Sequence, residues 1–195
     1  HQRRFDDAVS LIDANVELDL AIALLDSVLV DFPDLLAARH ARGTAYARKW
    51  LNTVPLQLLK VRPSLPTYSA HFSPGIRGAP GDTVLLNRAL ADYARVLSQE
   101  ELPLTLSSAA VLDAYIGNAA RAERMARRAV ELLPQSTAVL NNLGVVLFLA
   151  GRYTDARTSF ERAVAEAQPP DPAYVFNLGR TLRELRDPGT TPMLR

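Results

Sequence analysis

The sequence predicts an all-α solenoid of antiparallel helix pairs, and three observations predict it. A segment recurs: Gly117-Asn-Ala-Ala-Arg-Ala122 is echoed by Gly151-Arg-Tyr-Thr-Asp-Ala156, and the echo continues through Ala126 with Phe160, Ala129 with Ala163 and Val130 with Val164, each pair 34 residues apart. Leu143-Gly144 returns as Leu178-Gly179 after 35 residues, and Ala89, Tyr93, Val96 and Leu97 precede Ala122, Ala126, Ala129 and Val130 by 33. Apolar residues inside each unit follow the helical period, as at Leu140, Leu143 and Leu147 with Gly144 on the same stripe. Gly and Pro punctuate the units, at Gly151, Pro134 and Pro169-Pro170, where a helix must turn or stop.

Taken in order, helices are expected over 2–13 and 18–31, the second ending at Phe32-Pro33. A third covers 35–50, with Gly43 as its small residue and Tyr46 as its aromatic, and its partner covers 83–99. Pairs follow at 105–116 with 119–133 and at 137–150 with 153–167, and a final helix covers 172–185. Gly144 lacks a side chain where two helices must approach closely, and Ala156, Phe160, Ala163 and Val164 share one face of the next helix. Asp171-Pro172 reads as an N-cap followed by a first-turn proline.

Residues 51–82 interrupt the array. Pro55, Pro63, Pro66, Pro74 and Pro80 with Gly75, Gly78 and Gly81 forbid a helix in its second half, yet Ala21 and Ala89 stand 68 residues apart, twice 34, so the phase survives. The segment is either a decayed repeat whose second helix shrank to 54–61 or an insertion in one helical hairpin. Lengthening a connection from ~4 to ~30 residues costs only about 2 kcal/mol of closure entropy. Ordering it costs roughly 1–2 kcal/mol per residue, so an ordered loop must bury something. Leu56, Leu58, Leu59, Val61, Tyr68, Phe72 and Ile76 are available, and the expectation is a largely ordered segment along one face of the array.

Asn142-Leu143-Gly144, Gly151-Arg152-Tyr153, Ala156, Phe160 and Ala163, with Asn177-Leu178-Gly179 opening a further copy, resemble the tetratricopeptide repeat signature. The resemblance covers 104–186 strongly and 5–50 more loosely. It implies a right-handed solenoid over residues 1–195, with the first helix of each pair lining a concave groove and a protein or peptide as the partner. Helix 137–150 has two polar residues, both Asn, and is apolar almost all round, so both its sides should be covered. Asn141, Val145, Phe148 and Leu149 are expected on the groove side. In family members with Asn at the place of Asn142 and Asn177, the amides hold the backbone of an extended peptide, since an amide supplies donor and acceptor together. The alternative is that these amides satisfy local backbone groups or water. A carboxylate clamp is not expected, because helix 137–150 carries no charge, 105–116 carries only Asp113, and Arg180 with Arg183 are too few.

Composition excludes several other functions. The 195 residues are 48% apolar and 22% charged with net charge +1, which argues against binding nucleic acid by bulk phosphate attraction. Arg121, Arg124, Arg127 and Arg128 cluster, but Glu123 and Glu131 lie four residues on either side of Arg127, the spacing of helix ion pairs, and no aromatics for base stacking are near. Twenty of the 22 basic residues are Arg, a bias that GC-rich bacterial genomes produce. There is no Cys, hence no disulfide or thiolate chemistry, and no apolar stretch approaches a membrane span. His1, His40 and His71 are scattered and no metal or phosphate motif exists, so neither catalytic residues, a metal nor a cofactor is expected. His71 beside Ser69 and Ser73 is better read as a loop histidine than as part of a hydrolase site.

The ends carry their own expectations. The chain opens on His1-Gln2-Arg3-Arg4 without Met, as a trimmed piece of a longer protein would. After 172–185 the sequence Arg186-Asp-Pro-Gly189 turns, and Thr191-Pro192 resembles the start of a helix that does not run its course. Val175, Leu178, Leu182 and Leu185 would then lack cover, forgoing about 1.5–3 kcal/mol each. This points to more chain or another subunit at that end. The leading functional expectation is a non-catalytic interaction scaffold. The alternative is a structural subunit docked in a larger assembly, such as one of the cell envelope, through this end and residues 51–82.

Overall fold

The structure is a computed structural model, and it describes residues 1–53, 64–65, 68–69 and 82–186. Among these residues nine helices run in order: α1 (Gln2–Ala14), α2 (Leu18–Asp31), α3 (Leu36–Thr53), α4 (Thr83–Leu97), α5 (Pro103–Tyr115), α6 (Ala119–Leu132), α7 (Thr137–Leu149), α8 (Tyr153–Glu166) and α9 (Pro172–Arg186). Between α3 and α4 lie two short antiparallel strands, β1 (Ser64–Leu65) and β2 (Tyr68–Ser69), with Ser64 opposite Ser69 and Leu65 opposite Tyr68. The expected helix at 54–61, the side chains offered from Leu56 to Ile76, His71, and the turn and helix start after Arg186 lie outside the described residues.

Helices pack as pairs, α1 on α2, α3 on α4, α5 on α6 and α7 on α8, and each pair stacks on the next, with α9 opening a further unit. The all-α solenoid of antiparallel pairs is therefore present. The intimate packing of α3 on α4 makes the intervening segment an insertion within one hairpin. Bounds differ from expectation by one to three residues, and two of the differences have a visible cause. Helix α3 continues three residues beyond 50 because Thr53 Oγ1 donates to the Trp50 carbonyl at 2.6 Å, and it ends before Pro55, which disfavours helix at the residue preceding it. Helix α5 begins two residues early because Pro103 fits the first turn, where its missing N–H costs nothing.

The same physics ends the first helix of three pairs. At Gly117 and Gly151 the backbone takes φ of 88° and 76°, and the N–H of the following residue reaches back to close the helix: Asn118 to the Asp113 carbonyl and Arg152 to the Leu147 carbonyl, both 2.9 Å. Asn15 does the same for α1 at φ 54°, with Val16 N–H on the Leu11 carbonyl at 3.1 Å. Asparagine tolerates the left-handed region better than other non-glycine residues. Helix starts are capped at Asp82, whose carboxylate accepts from Val84 N–H at 2.9 Å, and at Asp171, which accepts from Ala173 N–H at 2.7 Å as expected.

Close approach within pairs rests on small residues. Ala21, Ala89, Ala122 and Ala156 occupy the same place in their second helices, and all are buried. On the first helices, a Cβ at Gly43 would stand 2.8 Å from Tyr93 Cε1, and one at Gly144 would stand 2.6 Å from Phe160 Cε1, so in both pairs an aromatic ring lies flush on a bare helix backbone. At Gly179, the matching position of α9, a Cβ would meet nothing within 4 Å among the described residues.

Candidate functional site

The first helices α3, α5, α7 and α9 form the inner row of the array, and a line of buried and half-buried polar side chains runs along it. His40 Nδ1 and Thr105 Oγ1 share a hydrogen bond of 2.9 Å between α3 and α5. The Asn142 amide donates to Ser107 Oγ at 2.8 Å between α5 and α7, and the Asn177 amide donates to Asn141 Oδ1 at 2.8 Å between α7 and α9. Thr181 Oγ1 donates back to the Asn177 carbonyl at 2.8 Å. At least one side-chain hydrogen bond thus joins each pair of neighbouring helices in this row. Buried hydroxyls and amides demand such partners, because leaving one unsatisfied costs about 1–3 kcal/mol.

Helix α7 is enclosed on every side. Ten consecutive residues from Val139 to Phe148 are buried, as its nearly uniform apolarity requires. Its Gly144 side meets Phe160 of α8, Asn142 faces α5, and the Phe148 ring meets Tyr153 edge-on at 5.1 Å. Asn141, Val145 and Phe148, expected on the groove side, share one stripe and are 0% exposed, while Leu149 is half-buried. Among the described residues, β1 also packs on α7. On α9, Val175 is 50% exposed, and Leu178, Leu182 and Leu185 are half-buried.

Three features of the inner row and the helices packed on it escaped the sequence. Ser107 is the partner of Asn142, although the 34-residue phase points to Ser108. Arg48 on α3 is buried at 1% exposure, which no single-sequence signal announces for an arginine. Asp92, 4% exposed, takes a two-pronged bond from Arg42 at 2.7 and 2.8 Å, with Arg39 3.6 Å away and Asp26 on the other side of Arg42 at 2.6 Å. That clasp binds α2, α3 and α4, and the Asp92 hydrogen bond raises the Arg42 guanidinium further above the arginine range. Burial lowers the His40 imidazole to about 4 and pushes the Tyr93 phenol up to about 12, against the Thr44 hydroxyl that lies 3.1 Å from its oxygen.

Three of the four arginines clustered on α6 are tied to acids. Arg127 donates to Glu123 at 2.8 Å, Arg128 to Glu101 and Glu131 at 2.8 and 3.2 Å, and Arg121 lies 3.3 Å from Asp113. Glu131 pairs with Arg128 rather than with Arg127, because the three-residue spacing brings that guanidinium onto the same edge. Among the described residues no group of three or more His, Asp or Glu could hold a metal ion, and no helix is long and apolar enough to cross a membrane.

Comparison with known proteins accords with this geometry. The family model described as tetratricopeptide repeat matches residues 108–172 and 150–188. The fold is similar to TTC0263, a thermophilic tetratricopeptide repeat protein of Thermus thermophilus, at 15% identity over 94% of this chain and 82% of that one, with a TM-score of 0.69. It is similar to a structure of MamA, AMB-1, at 16% identity over 94% and 81%, with a TM-score of 0.54. It is also similar to the Sgt2 repeat domain of Aspergillus fumigatus at 20% identity over 58% and 78%, with a TM-score of 0.50. Comparison of the sequence with functionally curated proteins gives no match. Proteins of this family are in general non-catalytic scaffolds for protein–protein interaction. Residues 108–188 thus match the tetratricopeptide repeat family model, and the described helices as a whole share the fold of tetratricopeptide repeat proteins.

Proposed function

We propose that the chain is a non-catalytic scaffold that holds an extended polypeptide on the inner row formed by α5, α7 and α9, through apolar contacts and asparagine amides. The observation that carries this reading is β1: a stretch of extended backbone packs on α7, so this surface accommodates that conformation. The chemistry agrees. Helix α7 has no charged residue and α5 has only Asp113, so an uncharged segment desolvates against them at low cost. Asn141, Asn142 and Asn177 lie on or beside the stripe of Val145, Phe148 and Leu149, and their bonds to one another's helices hold the amides in fixed orientation.

Titration of the chain with a library of extended uncharged peptides tests this. Asn142→Ala and Asn177→Ala should each weaken binding about 5–10-fold, the worth of one or two hydrogen bonds. Unchanged affinity in both variants removes the amides from the site.

A second reading is favoured by Gly179. Among the described residues its bare backbone meets nothing, whereas Gly43 and Gly144 each lie against an aromatic ring, and Val175 beside it is half exposed. Val175, Leu178, Leu182 and Leu185 then form an assembly surface that receives a helix from another subunit.

A further inference from the structure

We infer that the outward face of α2 is a second docking site, separate from the inner row, and that it takes a basic amphipathic helix of another protein. Comparison among the outer helices shows what is unusual there. The places of Leu20 and Ser27 recur 68, 101 and 135 residues further on, as Arg88 and Arg95 in α4, Arg121 and Arg128 in α6, and Asp155 and Arg162 in α8. In α6 the places of Ala23 and Val30 are charged as well, by Arg124 and Glu131. Each later outer helix thus puts charge on this face, and α2 puts none. Leu20 is 47% exposed, Val30 81%, and Val16 at the preceding turn 49%, with Ala23 exposed between them. The five arginines at these places in α4, α6 and α8 are exposed although a hairpin precedes each of those helices, so a stacked repeat does not cover this face. A contiguous exposed apolar strip of this kind marks an interaction surface.

Spacing and charge choose the occupant. Leu20, Ala23, Ser27 and Val30 stand at steps of three, four and three, the seam along which two helices pack. The small pair in the middle lets a second backbone come close. Ser27 Oγ is already used, donating to the Leu24 carbonyl at 2.7 Å and accepting from Arg4 at 3.1 Å, so covering it strands no polar group. Residues 1–31 hold seven acidic residues against two arginines, a net charge of −5 in a chain of +1. Asp26 is held by Arg42 and Asp31 by Arg4, both at 2.6 Å, and Asp19 by Lys49. Asp13 and Glu17, exposed on either side of the turn with Val16, have no ion pair among the described residues. A second copy on this face would set −5 against −5. A helix with Lys or Arg beside an apolar seam complements both the strip and its acids.

The probe is a labelled synthetic helix of about 18 residues, with Leu and Ala on its seam and Lys beside it, titrated into the full chain by fluorescence anisotropy. It should bind, and the same peptide with Glu in place of Lys should bind about tenfold more weakly. Leu20→Arg/Ala23→Arg/Val30→Glu gives α2 the residues that α6 has at these places. The triple variant should keep the parent's circular dichroism and bind the Lys peptide about tenfold more weakly, and Ala23→Arg alone, at an exposed position, makes the same test if the triple variant does not fold. Asn142→Ala, on the inner row, should leave this binding unchanged, which separates the two sites. Equal binding of the two peptides, undiminished binding by the α2 variants, or no binding of either peptide overturns the proposal. A concentration-dependent dimer in sedimentation that the triple variant abolishes gives the face to a second copy and overturns the basic helix as its occupant.

Discussion

Replacing Gly144 by Ala adds one methyl group where the structure leaves no room for it. The new Cβ would lie 2.6, 2.7 and 2.9 Å from Cε1, Cδ1 and Cζ of Phe160, about 1 Å inside ordinary carbon–carbon contact. The Phe160 ring is 0% exposed and cannot swing into solvent, so α7 and α8 must part or the ring must leave its rotamer. Overpacking of this kind costs about 1–3 kcal/mol, against which Ala recovers about 1 kcal/mol of helix propensity. The net expectation is a loss of about 1 kcal/mol. Gly179→Ala is the internal control: the same change 35 residues on, inside α9, where a Cβ meets nothing. There the propensity gain stands alone and the chain becomes about 1 kcal/mol more stable. Thermal unfolding followed by circular dichroism should place the two variants on opposite sides of the wild type, separated by about 4–8 °C for a chain of this size. Gly144→Ala/Phe160→Leu should recover part of the loss, since the shorter side chain withdraws from the methyl. Gly144→Ala as stable as Gly179→Ala would refute the close-approach argument.

Two further perturbations reach other joints of the array. His40 is held at about 4 in the fold against 6.5 unfolded, so the unfolded chain binds the extra proton. Its contribution is complete above pH 6.5 and is lost as pH falls toward 4; with solvent screening of a partly exposed ring this amounts to about 1 kcal/mol. Urea midpoints between pH 7 and 4.5 should fall less in His40→Gln than in the parent, and equal slopes would exclude His40 as the source. Asp92→Ala removes the acceptor of Arg42 at the α2–α3–α4 clasp and leaves that guanidinium with Asp26 alone. It should cost about 2–3 kcal/mol in denaturant unfolding, whereas Asp31→Ala, at an exposed pair with Arg4, should cost under 1 kcal/mol.

The helices and their pairing were legible in the sequence because both are dictated by spacing. Gly144, Phe160 and Ala156 recur at fixed intervals and can play no other part at those places. The turn at Asn15 has a signal in the sequence too: it stands 102 residues before Gly117, three repeats of 34, in the place of the helix-ending glycine. The inner row was less legible. The sequence pointed to Asn142 and Asn177 but not to their bonds with Ser107 and Asn141, because the offset between neighbouring helices, one or two residues away from the repeat length, belongs to the stacking geometry. The same holds for His40 with Thr105, 65 residues apart, and for the Asp92 clasp, whose members come from three helices and follow no period. The packing of β1 on α7 is a tertiary fact that composition could only hint at.

The hydrogen bonds between successive inner helices have a mechanical consequence. Oily surfaces slide over one another at little cost, so a stack held by methyl groups alone could shear and coil through a continuum of pitches. A donor–acceptor pair works at one distance and one angle. With such a detent at each of three joints, from His40–Thr105 through Asn142–Ser107 to Asn177–Asn141, the rod has an indexed bend, and whatever lies along its hollow meets a template of set curvature instead of a spring.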